Sequence, residues 1–275
     1  MGNICVIGPR SSGKTTYLAA LAYWTDQKRT GKSSNSFNVQ PLNEDAKELA
    51  YKAENIICEG ASLAPTQVAG GIDALPYYSF KLEVNRKFKS THDINLAVRD
   101  YPGEVFEELE SGSSNSLHEE FVDECLMRDV TGCLILLTEW TKGTDKFYKR
   151  VLEQFIKLMD DRDRANDLRL AVAMSKCERG ELWPCRLEPE TDLFDVHLPK
   201  TKATLQTKIP EKNLEFFAIS TFGVLRRNDP RPNRIDEGGT NGRHSVLRDA
   251  SAWQPYNTIA PLYWLSSGKR MKADA

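Results

Sequence analysis

The chain has 275 residues and a near-balanced charge, with 37 Lys plus Arg against 39 Asp plus Glu and a net charge of −2. This balance gives no electrostatic case for non-specific nucleic-acid binding. No apolar run approaches the roughly 20 residues that span a bilayer, and no basic leader precedes the first apolar run. We therefore predict a cytoplasmic protein with no nucleic-acid partner and no transmembrane segment.

The six cysteines include no C-x-x-C pair, and Cys5 and Cys133 lie inside apolar, strand-like runs. This usage is typical of free thiols in a reduced cytosolic protein. A zinc site is the alternative, although no ligand spacing supports it.

Short apolar runs alternate with helical patterns, which predicts an α/β fold with a mostly parallel sheet. The predicted strands are residues 3–7, 77–84, 93–99, 132–137, 168–174 and 214–219. The predicted helices run from residue 13 through 24, from a cap at Asn43 to 57, and over 117–127, 146–159 and 256–265. Predicted loops cover 28–38, 61–76 and 222–254, while 179–212 have a mixed pattern.

The strands at 77–84 and 93–99 are joined by a short polar link at residues 85–92. Such a link permits an antiparallel hairpin but is too short for a helical crossover between parallel strands. We therefore predict one antiparallel strand in the otherwise parallel sheet.

Residues 8–15 read GPRSSGKT and fit the phosphate-binding pattern G-x-x-x-x-G-K-[ST]. Gly8 and Gly13 let backbone N–H groups approach phosphate oxygens, and the helix that follows adds its positive end. Lys14 can reach the outer phosphates, and the hydroxyl of Thr15 is a ligand for Mg²⁺. The other loop residues predicted to contact a nucleotide are Arg10, Ser11, Ser12 and Thr16. Arg10 is alternatively a solvated loop arginine.

A second acidic segment follows the predicted hairpin, where residues 100–103 read DYPG. Asp100 stands at a strand end and could hold Mg²⁺ through a water, while the N–H of Gly103 could reach a terminal phosphate. A lone D-x-x-G is a weak signal, but its position after a hairpin and a phosphate loop makes it more specific. The alternative is a simple turn.

In this order, the phosphate loop, hairpin and DYPG segment resemble the Ras-like, translation-factor-related (TRAFAC-class) GTPases over residues 3 to about 221. The closing segment 253–265 is similar to that of bacterial double-GTPase domains of conflict systems. The resemblance implies a P-loop NTPase three-layer sandwich that binds GTP or GDP with Mg²⁺. It also implies a single domain over residues 1–275 with insertions at about 28–59 and 222–254.

The resemblance assigns further roles. A switch-loop threonine contacts magnesium in this family, and Thr66 is the candidate. The alternative is an ordinary loop threonine. Glu104 stands where the family has a glutamine that orients the attacking water, and its charge near a triphosphate predicts slow intrinsic hydrolysis. The implied catalytic residues are Lys14, Thr66, Gly103 and Glu104. The implied metal ligands are Thr15, Thr66 and Asp100.

The family reads guanine with [NT]-K-x-D, and residues 175–178 here read SKCE. Lys176 would cover the ring, and Glu178 would accept two N–H bonds from the guanine edge. Ser220 and Thr221, at the end of the last predicted strand, would close over the base. The alternative is a polar strand end with solvated charges.

Three functions stay open at this point. The first is a GTP-dependent regulatory switch that acts with a protein effector or regulator. The second is an ATPase or kinase with an arginine-bearing lid, for which the candidate residues are Arg226, Arg227, Arg231, Arg234, Arg243 and Arg248. The third is a non-hydrolysing, nucleotide-binding interaction module. Glu104, in place of the family's glutamine, is the reason to consider it.

Overall fold

A computed structural model of the protein describes residues 3–29, 37–59, 75–85, 91–112, 115–239 and 242–271. Thr66 lies outside these residues. Each of the six cysteines is a free thiol. Within the described ranges, no helix combines the length and the apolar character that crossing a membrane requires.

The central sheet has four parallel strands in the spatial order β1 (Asn3–Ile7), β5 (Val130–Leu137), β6 (Arg169–Met174) and β7 (Leu214–Ala218). A three-stranded antiparallel sheet contains β2 (Phe37–Pro41), β3 (Tyr77–Val84) and β4 (His92–Arg99), and β4 lies next to β1. Strands β3 and β4 pair along their whole length, so the predicted hairpin is confirmed.

The helices are α1 (Lys14–Arg29), α2 (Glu44–Cys58), α3 (Gly103–Glu107), α4 (Ser116–Leu126), α5 (Lys142–Asp161), α6 (Asp195–His197), α7 (Pro199–Lys208) and α8 (Ala260–Ser267). The side chain of Asn43 accepts the N–H of Ala46 and caps α2 as predicted. Thr141 caps α5 in the same way through Thr144. Each cap contributes about 1 kcal/mol by satisfying a helix N–H group.

The alternation of side chains along β5 builds a core on each face of the sheet. Leu134 and Leu136 pack into the cluster that contains α1, α2 and α8. Cys133, Ile135 and Leu137 pack into the other cluster, with α4 and α5. Helices therefore cover both faces of a mostly parallel sheet. With the phosphate loop between β1 and α1, this is a P-loop NTPase sandwich, and the predicted fold class is confirmed.

The prediction of a loop over residues 222–254 is wrong. This segment contains two antiparallel pairs, β8 (Val224–Arg226) with β9 (Asp229–Pro232) and β10 (Ile235–Gly239) with β11 (Gly242–Val246). These strands are short and rich in charged and turn-forming residues, so they lack the apolar alternation from which a strand is predicted.

Other segments also differ from the prediction. Strand β2 begins at Phe37, inside the predicted loop. The sequence pattern missed it because the apolar alternation contains only Phe37 and Val39. Residues 179–212, which had a mixed pattern, contain α7, whose first residue is Pro199. The closing helix begins at Ala260 rather than 256, since Asn257 adopts a left-handed φ of 59° that interrupts any helix there.

Candidate functional site

The phosphate loop has a backbone that only small residues permit. Gly8 has a φ of +154°, and a Cβ there would lie 2.4 Å from the carbonyl oxygen of Leu136. Ser11 adopts a left-handed φ of 56°. The loop therefore folds tightly between β1 and α1, with the N-terminus of α1 directly behind it, as an anion-binding site requires.

The ammonium of Lys14 folds back over this loop, where Nζ donates to the carbonyl oxygens of Gly8 at 2.8 Å and Pro9 at 3.2 Å. Partial removal from water lowers the pKa of Lys14, and the nearby carboxylate of Asp100 opposes that shift. Two carbonyl contacts do not neutralise a cation, so phosphate oxygens are the better partners for this ammonium.

Asp100 follows β4 and contacts the start of α1, where the hydroxyl of Thr15 donates to its Oδ2 at 2.9 Å. The carboxylate is buried, and this burial raises its pKa while Lys14 and Thr15 oppose the rise. Two oxygen ligands of the kind that Mg²⁺ prefers thus lie in contact beside the phosphate loop.

The DYPG segment packs directly on the phosphate loop. A Cβ at Gly103 would lie 2.2 Å from the backbone nitrogen of Arg10. The N–H of Arg10 donates to Glu107 Oε1 at 2.8 Å, and its Nη2 pairs with Glu104 Oε1 at 2.8 Å. The side chain of Arg10 is 62% exposed, and its guanidinium forms a surface ion pair. It connects the loop to the residue that follows DYPG.

The SKCE segment contacts the opposite side of the phosphate loop. The hydroxyl of Ser175 donates to the carbonyl oxygen of Ser12 at 2.9 Å, and Lys176 Nζ donates to that of Ser11 at 2.6 Å. Burial lowers the pKa of Lys176 to about 8, and the neighbouring guanidinium groups add to this effect. The predicted base-reading segment and the predicted phosphate loop are thus in direct contact.

Glu178 is fully buried, and both of its carboxylate oxygens accept hydrogen bonds. The hydroxyl of Ser220 donates to Oε2 at 2.7 Å, while Nη1 of Arg234 lies 3.3 Å from Oε1. Ser220 in turn accepts the N–H of Gly223 at 2.7 Å. The carboxylate therefore joins the ends of β6 and β7 to the segment before β10.

A cleft of about 550 Å³ lies between the phosphate loop, the SKCE segment and the segment 222–254. Its lining includes the predicted site residues Ser11, Ser12, Gly13, Thr15, Thr16, Lys176, Glu178 and Thr221. Its lining does not include the predicted site residues Gly8, Arg10, Lys14, Asp100, Gly103, Glu104 and Ser220. The hydroxyl oxygens of Ser12 and Thr138 line this cleft, are buried, and make no hydrogen bond within the described part of the chain. Buried unsatisfied hydroxyls in a cleft are the groups that a polar ligand would satisfy.

The cleft also contains residues that the sequence did not single out as base-site residues. Arg234, Asp236 and Ser245 enter it from the segment 222–254, and Arg179 enters from the turn after β6. Arg234 was visible only as one of several arginines in a predicted loop. No sequence pattern linked these residues to the phosphate loop.

No protein-family model and no curated protein matches the chain. Among solved structures, it is similar to sup35 complexed with GDP, at 11% identity and a TM-score of 0.34, over 87% of this chain and 40% of that one. It is also similar to the S. cerevisiae Ski7 GTPase-like domain bound to GDP and inorganic phosphate, at 13% identity and a TM-score of 0.42, over 82% and 45%. The chain thus spans less than half of the length of these two structures, and the fold assignment rests on its own strand order.

Proposed function

We propose that the chain is a guanine-nucleotide-binding regulatory protein that binds GTP with Mg²⁺ and hydrolyses it slowly. The observation that carries this proposal is the contact between the phosphate loop and the DYPG segment, through Thr15 with Asp100 and through the close packing of Gly103 on Arg10. A terminal phosphate at this junction would meet both segments, so its presence or loss would change how they pack.

The residues present fit a triphosphate and a divalent cation. Lys14 would exchange its two carbonyl contacts for phosphate oxygens, and the unsatisfied hydroxyl of Ser12 would gain a partner. Thr15 and Asp100 would hold Mg²⁺, which neutralises phosphate charge when bound. Thr66 is proposed as a further ligand by resemblance alone.

Slow hydrolysis follows from Glu104. Its carboxylate pairs with Arg10 at the edge of the phosphate loop, so it brings negative charge close to the terminal phosphate. It also occupies Arg10, the nearest guanidinium on the loop that could offset transition-state charge. A protein regulator that separates Arg10 from Glu104 would free the guanidinium to offset transition-state charge.

Guanine is proposed as the base because the far end of the cleft contains the carboxylates of Glu178 and Asp236. Carboxylates accept the N1–H and N2–H groups of guanine but repel the unprotonated N1 of adenine. The fold alone does not decide between these bases.

Calorimetric titration of the purified protein with GTP, GDP and ATP analogues in the presence of Mg²⁺ tests the proposal. We expect tight binding of guanine nucleotides and weak binding of ATP. A preference for ATP would contradict the proposal and favour an ATPase or kinase. GTP binding without turnover, even with candidate partners, would favour the non-hydrolysing interaction module.

A further inference from the structure

The base end of the cleft contains two carboxylates with very different surroundings. Glu178 is completely enclosed, and its two oxygens are engaged by Ser220 and Arg234. Asp236 lines the same cleft with 42% of its side chain exposed. A ligand that enters the cleft can therefore meet the carboxylate of Asp236 without displacing any internal contact, whereas Glu178 has no exposed surface with which to meet it.

The carboxylate of Asp236 is held in place through one oxygen. Nε of Arg234 donates to Oδ1 at 2.6 Å, and the hydroxyl of Ser245 donates to the same atom at 2.8 Å. Ser245 lies directly opposite Asp236 in the β10–β11 pair. Oδ2 makes no hydrogen bond within the described part of the chain, so this oxygen keeps its capacity to accept.

Arg234 is the common partner of the two carboxylates. Its side chain is 8% exposed, and its guanidinium contacts Glu178 through Nη1 and Asp236 through Nε. One cation thus lies between two anions, and Glu178 fixes the guanidinium that in turn fixes Asp236. The planar geometry of arginine suits this double role, because its donors point in set directions.

The segment that presents Asp236 is anchored on packed elements. Asn233 is fully buried, and its side chain donates to the carbonyl oxygen of Asp249 and accepts the N–H of the same residue. The N–H of Leu247 donates to the carbonyl oxygen of Ile57 at the end of α2. These bonds set the position of β10 against the cleft, as a specificity element requires.

We propose that Asp236 is the carboxylate that reads the guanine edge, and that Glu178, Arg234 and Ser245 are positioning residues for it. The inference rests on the proposed nucleotide function and names its specificity determinant. Oδ2 of Asp236 accepts N–H groups at the N1 and N2 edge of the base, while the buried Glu178 supports the guanidinium from behind. Adenine presents an acceptor at N1 and is rejected by the same oxygen.

The test compares Asp236→Asn with Glu178→Gln in the full-length protein, using GDP, IDP and ADP with Mg²⁺ in calorimetry. IDP lacks the N2 amino group but is otherwise the same ligand. We expect Asp236→Asn to weaken GDP binding on the order of 10- to 100-fold, the equivalent of about one charge-assisted hydrogen bond, and to leave ADP binding at least as strong, because the charge that rejects adenine is removed. The preference for GDP over IDP should disappear in this variant.

Glu178→Gln removes the charge that pairs with Arg234, so we expect it to lower the melting temperature. Because the amide oxygen still accepts from Arg234, the preference for GDP over IDP should be retained. Asp229→Asn is the matched control, because Asp229 pairs with Arg231 on the same segment. This control should change neither the ratio of GDP to IDP affinity nor the ratio of GDP to ADP affinity. An unchanged melting temperature and an ADP affinity no weaker than that of the unaltered protein would show that the fold of Asp236→Asn is intact.

Two results would overturn this inference. If Glu178→Gln lost the preference for GDP while Asp236→Asn kept it, Glu178 would be the base reader and the proposed guanine function would stand. If the unaltered protein bound GDP and ADP equally, the guanine assignment itself would fail, and with it the role of Asp236.

Discussion

At the phosphate end of the site, two contiguous segments, residues 8–15 and 100–104, meet through the packing of Gly103 on Arg10 and through the pairs Thr15–Asp100 and Arg10–Glu104. At the base end, side chains from the ends of β6 and β7 and from the β10–β11 pair converge, and charged groups hold them together. Under the proposed function, the first arrangement would accept any nucleoside triphosphate, because all share the same phosphates. The second can distinguish bases, since only side chains offer a pattern of donors and acceptors.

Both ends depend on contacts between distant parts of the chain, but only the phosphate end consists of segments that a sequence pattern identifies. Thr15 meets Asp100 across 85 positions of sequence, and both residues lie in such segments. Arg234 reaches Glu178 across 56 positions of sequence, and it does so only because the segment 222–254 folds back over the sheet. Variants at the phosphate end should therefore affect all nucleotides alike, and variants at the base end should change ratios between them.

The largest expected effect is at Lys14. Lys14→Ala removes the ammonium from the phosphate loop, and we expect affinity for guanine and adenine nucleotides to fall by about 100-fold or more, the worth of two charge-assisted hydrogen bonds. Calorimetry measures the loss, and thermal denaturation checks the fold. Unchanged affinity would refute the phosphate-loop assignment, and a loss confined to one base would contradict the contrast between the two ends.

Gly103→Ala should separate the DYPG segment from the phosphate loop. The added Cβ would meet the backbone nitrogen of Arg10 at 2.2 Å, which forces one of the two segments to move and costs about 1–3 kcal/mol of stability. We expect triphosphate affinity to fall about tenfold, with diphosphate affinity little changed. Titration with GTP analogues and GDP measures both.

Gly143→Ala is the matched control for that variant, because the nearest atom to its added Cβ is the hydroxyl of Thr141 at 3.8 Å. This variant should change the affinity for neither GTP analogues nor GDP. Equal loss of GTP and GDP affinity in Gly103→Ala would show that the segment supports the loop without sensing the terminal phosphate.

Glu104→Gln should increase GTP hydrolysis about tenfold, a reduction of roughly 1.4 kcal/mol in the barrier, because it removes negative charge and releases Arg10. Single-turnover phosphate release measures the rate. Glu110→Gln provides the comparison, since Glu110 pairs with Arg150 and does not contact Arg10. A rate that stays constant in Glu104→Gln would show that the carboxylate does not limit turnover.

The smallest expected effect is the pH dependence that Lys176 contributes. Burial lowers its pKa to about 8, so the folded protein without nucleotide loses this positive charge as pH rises through 8. A bound nucleotide favours the charged form and raises the pKa. Binding near pH 8 should therefore take up protons, and affinity should fall about threefold between pH 7 and 9.

Calorimetry in buffers of different ionisation enthalpy measures this proton uptake. In Lys176→Met the uptake should decrease, with the remaining part assigned to other groups such as Lys14, whose pKa burial also lowers. Identical uptake in Lys176→Met and in the unaltered protein would show that Lys176 does not exchange a proton on binding.

The sequence by itself determined the phosphate loop, the hairpin before DYPG and the alternation of strands and helices. These features are local: the glycines at 8 and 13, the apolar alternation over 77–84 and the helical spacing over 146–159 act within a few residues of chain. Their physical causes, backbone clearance and amphipathic periodicity, are visible without knowledge of the fold.

Only the tertiary structure decided the base end of the cleft. The sequence indicated Glu178 by its spacing from Lys176, but it did not reveal that the carboxylate is enclosed by Ser220 and Arg234. It also gave no sign that Asp236 lines the cleft, because residues 222–254 have the composition of a loop. Which charged side chains meet there depends on contacts between distant segments, and no local pattern encodes such contacts.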